Sequence, residues 1–302
     1  MKILITGGNG FIARSLYESF TNCYFFPLER SIAAPTRQEL DLLDHEKVRD
    51  YLNKGEFDVV IHSATYDAVP SFSHKSPSNV LDNNLKMFFN IVGSSDMFGK
   101  MIYFGSGAEA GRDNWIPNMD ESYIERQTPT DEYGRSKKIM NSYTKIGNNI
   151  YNLRLFGVFG KFDDWRYRFL SNACCKAVLD MPIFINKNSV FDYLYIDDLV
   201  KVVKWIIDCN PKRKSYNVCS GKAYSYKALA EKVLGASGKT LDIHIKDDSN
   251  IVEYSGDSTL LLSENPEFKF NDLDDSVSSL YNWYNSNSCL LYTSDAADEE
   301  DS

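Results

Sequence analysis

The sequence predicts an α/β protein, a doubly wound parallel sheet with a smaller C-terminal α/β lobe, and three observations carry that prediction. The chain opens on MKILITGGNGFIA, an apolar run followed by closely spaced glycines and then by apolar residues at helical spacing. Strand-length apolar runs then alternate with helical-period segments through the first half, the pattern of a parallel sheet covered by helices on both faces. From about residue 161 the elements become shorter and richer in aromatics, as expected of a second lobe packed against the first.

Composition sets the bounds. With 302 residues, 43% hydrophobic and 25% charged, the chain is long enough for one large domain, or a large one with a smaller partner. No run reaches the ~18 apolar residues of a membrane-spanning helix. The N-terminus enters a strand at once, without a basic and apolar leader, so the expected location is the cytoplasm. The six cysteines (Cys23, Cys174, Cys175, Cys209, Cys219, Cys289) lack metal-ligand spacing, so no metal site is expected. They read as reduced thiols, since the adjacent pair at 174 and 175 cannot form an ordinary disulfide. A net charge of -9 argues against a nucleic-acid partner. Five of the 42 acids follow residue 288, where no Lys or Arg stands, which leaves -4 over residues 1–288. Within that tail, CLLYTSDAADE resembles the translation of a sequencing adapter, so residues 289–302 are set aside from function and the native end is expected near Ser288.

Taken in order, residues 2–6 form a buried strand, and Phe11, Ile12, Leu16 and Phe20 begin a helix stripe. Between them, Gly8, Gly10 and Ala13 fit the GxGxxG/A pattern, where bare backbone approaches a pyrophosphate and the next helix offers its N-terminal amides. A dinucleotide cofactor is therefore expected. Further strands are predicted at 24–28, 57–62, 100–105 and 150–156, with helices at 44–52, 80–97 and from 132. A polar segment spans 108–131. In the second half, helices are predicted at 169–179, 198–207 and 225–234, and strands at 193–196 and 215–218. Residues 1–160 make the nucleotide domain, which later segments can rejoin, and residues 161–288 mainly a substrate lobe, with a substrate in the cleft between them.

Tyr133 and Lys137, in YGRSK, are four residues apart and share a helix face. An ammonium beside a phenol favours the phenolate. Lowering the phenol from about 10 to about 7 takes ~4 kcal/mol, within reach of one ammonium plus a positive nicotinamide ring. Lys138 points about 100 degrees away round the helix. Ser106 stands at the end of KMIYFGS, some 27 residues before Tyr133.

With these residues in place, the sequence resembles the extended short-chain dehydrogenase/reductase family of nucleotide-sugar epimerases, dehydratases and reductases, whose nucleotide domain is Rossmann-type. The family's glycine turn appears as Thr6, Gly7, Gly10 and Ala13, and its catalytic Ser/Thr, Tyr and Lys fall on Ser106, Tyr133 and Lys137. The resemblance implies further cofactor contacts. Phe11 and Ile12 follow the glycine turn, Asp41 and Leu42 flank the adenine, and Ser63 and Ala64 lie in the loop past the cofactor. Asn84 opens the central helix. Tyr195, Asp197 and Asp198 match a strand-to-helix turn in the second lobe. The resemblance also suggests a homodimer.

Departures from the pattern narrow the reading. Members using NAD usually place an acid at the end of the second strand; here stand Glu29 and Arg30, with Arg37 downstream, which favours NADP, with NAD as the alternative. Dehydratases place an Asp-Glu pair after the Ser/Thr, whereas this chain has Gly107 and Ala108, and Glu109 falls one position late. The positions where GDP-fucose synthase relatives carry a proton-moving cysteine and histidine are Ala108 and Phe162. Hydride transfer at one carbon remains. The expected function is a nucleotide-linked 4-keto-sugar reductase with Tyr133 as proton donor. A 4-epimerase with tightly held NAD and a non-catalytic redox sensor are the alternatives. In the substrate lobe, Gly157 and Phe191 replace an asparagine and an arginine of the family, and Lys161, Arg166 and Arg168 are candidate replacement charges.

Overall fold

The computed structural model describes residues 1–21, 31–67, 75–249 and 251–288. In chain order the first half comprises β1 (Lys2–Thr6), α1 (Phe11–Thr21), β2 (Ser31–Ala33), α2 (His45–Gly55), β3 (Val59–His62), α3 (Val80–Val92), β4 (Lys100–Ser106), α4 (Glu121–Arg126), α5 (Glu132–Thr144) and β5 (Ile150–Leu155). The second half adds β6 (Gly157–Phe159), α6 (Phe169–Val178), β7 (Ile183–Ile185), β8 (Val190–Tyr195), α7 (Ile196–Asp208), β9 (Ser215–Val218), β10 (Ala223–Ser225) and α8 (Tyr226–Ser237). It ends with β11 (Ile243–Ile245), β12 (Glu253–Tyr254), α9 (Thr259–Glu264) and α10 (Leu273–Ser286).

Six parallel strands form the main sheet in the order β2-β1-β3-β4-β5-β9, so the winding reverses between β1 and β3. Alternation along each strand feeds two cores. Ile3 and Ile5, with Ile102 and Phe104, pack against α1 and α7 through Leu16, Phe20, Leu199 and Val203. Leu4, Met101 and Tyr103 face the other way, onto Val48 and Leu52 of α2, Phe88 and Ile91 of α3 and Met140 of α5. This Rossmann-type, doubly wound arrangement matches the expected fold class.

The strand expected at 24–28 lies outside the described residues; the described β2 pairs Lys2 with Ser31. The helix expected over 80–97 ends at Val92, and a 3-10 turn occupies Ser95–Met97. The polar segment 108–131 contains α4 and two 3-10 turns. The chain also returns to the main sheet late. β9 pairs with β5, and α7 covers the sheet beside α1. Ile196 begins α7 and does not end the preceding strand.

The second lobe has its own core of α6, α8 and α10, built on Leu170, Ala173, Leu229, Val233, Leu280 and Tyr284, with Cys174 and Cys175 buried as free thiols. Its strand β8 lies between β10 and β12, with β6 alongside, while β7 pairs with β11. Gly157, where the family has an asparagine, permits the β6–β8 approach: a Cβ there would sit 2.7 Å from the Asp192 carbonyl oxygen. Among the described residues no helix is long and apolar enough to cross a membrane.

Candidate active site

The site is built at the carboxyl edge of the main sheet, where the winding reverses and backbone groups are left open to a ligand. After β1, Gly7 takes a φ of 74°, and a Cβ on it would lie 2.9 Å from Ala64 Cα. Gly8 is held against the Ala34 carbonyl oxygen, 2.3 Å from where a Cβ would be. Gly10 N donates to Gly7 O at 2.8 Å, closing the turn immediately before α1. Phe11 and Ile12 form the first turn of α1 and are partly buried against the α1-side core.

This turn opens into a cavity of about 300 Å³ lined by Gly7, Gly10, Arg37, Asp41, Leu42, Ser63 and Ala64. The cavity therefore unites Gly7, Gly10, Asp41, Leu42, Ser63 and Ala64 of the residues expected to contact a cofactor, while Phe11, Ile12, Asn84, Tyr133 and Lys137 do not line it. Arg37 sits on the rim, 3.8 Å from Asp41 Oδ2, with its side chain 70% exposed. Arg30 lies outside the described residues. Thr6 Oγ1 bridges the loop after β3, meeting His62 Nδ1 at 2.9 Å and accepting from Ala64 N at 3.3 Å. Burial, with the Lys137 charge adding to it, pushes the His62 imidazole down to about 3, so it stays neutral.

Asn84 stands in the second turn of α3 and is buried. Its amide accepts from Tyr66 N at 2.8 Å and donates to Tyr66 O at 2.9 Å, so it braces the loop that lines the cavity. A dinucleotide fits this cradle: the close backbone approach at Gly7 and Gly8 leaves no room for side chains, and the helix N-terminus follows at once.

Ser106 ends β4 and is 9% exposed, Lys137 is buried, and Tyr133 is half-buried in the first turn of α5. Asp131 caps that helix, accepting from Gly134 N at 2.8 Å. The Lys137 ammonium lies 5.5 Å from the Tyr133 ring centre and donates to Phe104 O at 2.8 Å. The fold thus brings the three residues together, but the expected lowering of the phenol does not appear in the protein alone. Burial, with Asp67 adding to it, pushes Tyr133 up to about 12, while the Ser106 hydroxyl pulls the other way. Burial also lowers Lys137 to about 8. Burial of the phenol outweighs the pull that the spacing alone implied.

Glu109 is held inside the protein, although its charge still acts on Tyr133 and Lys137. Fully buried, it pairs with Arg154 Nε at 2.9 Å and accepts from Asn152 Nδ2 at 3.2 Å. Its other role is local: Ser106 Oγ accepts from Ala108 N at 3.1 Å while Glu109 Oε1 takes Ser106 N at 3.4 Å, a capping box that fixes the turn after β4.

Residues from the second half of the chain stand near the site. Of the three candidate cations, Lys161 pairs with Glu18 at 2.8 Å and Arg166 with Asp164 at 2.6 Å. Arg168 faces the site: its charge acts on Tyr133, Tyr193 and Tyr226, and Asp163 stands 3.8 Å away. Phe162 is clasped between the Arg14 guanidinium, 4.1 Å from the ring centre, and Trp283. Asp197 and Asp198 lie in the first turn of α7 behind an N-cap at Tyr195, and Asp198 pairs with Lys201 at 3.0 Å. Sequence reasoning missed Tyr254, whose hydroxyl lies 3.4 Å from Ser106 Oγ across 148 residues of chain. No motif marks it. Among the described residues no His/Cys/Asp/Glu group is arranged to hold a metal.

The chain matches the NAD dependent epimerase/dehydratase family over residues 3–219. It is 25% identical over 254 residues to ADP-L-glycero-D-manno-heptose-6-epimerase of Brachyspira hyodysenteriae, covering 76% of this chain and 79% of the relative. It is 22% identical over 281 residues to GDP-6-deoxy-D-talose 4-dehydrogenase of Aggregatibacter actinomycetemcomitans, covering 87% and 90%. Its fold superposes on a GDP-L-fucose synthetase from Naegleria fowleri bound to NADP with a TM-score of 0.82 at 17% identity, covering 95% and 93%. With a match spanning the glycine turn, the Ser106 strand and the Tyr133 helix, the chain belongs to the NAD dependent epimerase/dehydratase family.

Proposed function

We propose that the protein is an NADP-dependent reductase of a 4-keto sugar carried on a nucleotide. The observation that carries this reading is the chemistry left around Ser106. Tyr133 and Lys137 lie beside it, while Glu109 is locked in a buried pair with Arg154, and the family positions at Ala108 and Phe162 hold side chains that cannot carry a proton. Dehydration and proton shuffling at neighbouring carbons need a second acid or base. A single reduction does not.

When bound, the nicotinamide supplies hydride to the carbonyl carbon. Tyr133, protonated at neutral pH, donates its proton to the carbonyl oxygen. Ser106 donates a hydrogen bond to the same oxygen, stabilising the charge that develops there. Lys137 holds the nicotinamide ribose and supplies positive charge beside the phenol. Asn84 acts on the cofactor through the Tyr66 loop it braces. Arg37, on the cavity rim, favours the extra phosphate of NADP, and Arg168 offers a cation to the substrate's diphosphate. The relatives' 4-dehydrogenase and heptose epimerase names support a nucleotide-sugar substrate. A homodimer through α5 is supported by Ile139, Tyr143 and Ile146, which are 41%, 39% and 77% exposed on its outer face and beyond its end; light scattering measures it.

The test is turnover. The full chain is incubated with NADPH or NADH and a panel of GDP-, CDP-, UDP- and dTDP-linked 4-keto sugars, following nicotinamide absorbance. Oxidation of NADPH with at least one substrate is expected, and Tyr133→Phe lowers that rate by roughly 100-fold or more. Redox-neutral conversion of the matching 4-hydroxy nucleotide sugars without added cofactor makes the protein an epimerase, and no conversion of either set makes it a binding protein.

A further inference from the structure

We propose that Tyr254 is a positioning residue that fixes Ser106 as a hydrogen-bond donor toward the reacting oxygen. The inference rests on the reductase reading above.

A serine hydroxyl carries one proton and two acceptor lone pairs. Ser106 Oγ already accepts from Ala108 N at 3.1 Å. Tyr254 Oη lies 3.4 Å from the same oxygen. If Tyr254 donates, both lone pairs are filled and the single Ser106 proton has to leave this pair, toward a substrate carbonyl on the Tyr133 side. If Tyr254 accepted, that proton would be spent inside the protein and Ser106 could not stabilise a developing alkoxide.

The surroundings favour donation. Tyr254 is 6% exposed, and its ring is held by Trp115 at 4.2 Å, Phe156 at 5.0 Å and Phe191 at 5.6 Å. Burial among these rings raises the Tyr254 phenol, so it keeps its proton. Among the described residues, Ser106 Oγ is the hydrogen-bond acceptor in reach of that proton. The Ser106 hydroxyl acts on the Tyr133 phenol, so its free side is the one where a substrate carbonyl would stand. Gly107 makes the approach possible: a Cβ there would stand 2.6 Å from Tyr254 Oη. Tyr254 belongs to β12, registered opposite Phe191 of β8, so the second lobe delivers the hydroxyl that orients a residue of the first.

The experiment is a double-mutant cycle on Ser106→Ala and Tyr254→Phe in the full chain, the latter keeping the ring packing. It is read in two ways: NADPH turnover of a nucleotide-linked 4-keto sugar from the panel, and urea unfolding. Tyr254→Phe should lower kcat about five- to twenty-fold with KM and the NADPH Kd within about two-fold. In the Ser106→Ala background it should change kcat by less than about two-fold, and the unfolding constant of the double variant should differ from the product of the singles by about three-fold or more. Multiplicative losses in kcat, a loss confined to KM, or multiplicative unfolding constants each overturn the proposal. A wild-type protein that turns over nothing overturns the reductase reading and this role together. Turnover with a multiplicative cycle overturns only the role of Tyr254.

Discussion

At the scale of residues, Lys137 carries the most direct consequence for pH. Its ammonium is buried against Phe104 O and titrates near 8, while the Tyr133 phenol stays protonated up to about 12. As pH rises through about 8, Lys137 loses the charge that assists the cofactor and the developing oxyanion, whereas Tyr133 keeps its proton. The profile of kcat/KM, which reports groups of the free enzyme, should therefore fall above about pH 8. A plateau extending past pH 10 would assign that charge elsewhere. The nearness of Tyr133 to Lys137 was legible in the sequence because helix spacing is a local relation, and Ser106 joined them through the family resemblance. Tyr254 was not, because 148 residues separate it from Ser106 and only the packing of β12 on β8 joins them. The phenol's upward shift was equally hidden: spacing gives the ammonium's place, but not burial or the charge of Asp67.

At the scale of elements, α5 shows how a cap reaches the chemistry. Asp131 accepts from Gly134 N, satisfying one of the open amides of the first turn, and Tyr133 stands within that turn. Asp131→Ala should lower unfolding free energy by about 1 kcal/mol and, by loosening the Tyr133 turn, lower kcat more than KM. Urea unfolding and steady-state kinetics check both parts, and an unchanged kcat would show that the turn is held by packing alone. Elements such as β4 and β5 were readable as apolar runs of strand length, and α1 from Phe11, Ile12, Leu16 and Phe20 at helical spacing. The pieces β7, β10, β11 and β12 run only two or three residues, too short for a period, and exist because neighbouring strands pair with them. The return of β9 to the main sheet is a pairing with β5 across roughly sixty residues of chain, and no local pattern announces it.

At the scale of the whole molecule, buried titratable groups pull stability in opposite directions across the mildly acid range. His62 is pushed down to about 3, so between pH 3 and about 6.5 the unfolded chain binds more protons at this site and stability rises with pH. Asp163 does the reverse. Burial lifts it to about 7, despite Arg168 at 3.8 Å and the amide of Asp164, so the folded state holds its proton where the unfolded chain has lost it. Its contribution is intact below about pH 3.8 and declines as pH climbs to about 7, where the carboxylate ionises inside the lobe. Asp192, lifted to about 6 by burial although Ser220 and Gly221 donate to it, acts in the same sense as Asp163. These terms offset one another, so the wild-type profile alone does not reveal them. Asp163→Asn removes one: the variant should gain stability relative to wild type as pH rises from 4 to 8, with a slope approaching ~1.4 kcal/mol per pH unit. Urea unfolding of both proteins at pH 5 and pH 8 measures it. A difference that does not change with pH would mean that Arg168 keeps Asp163 ionised throughout, holding the loop against α6 by a standing ion pair in place of a shared proton.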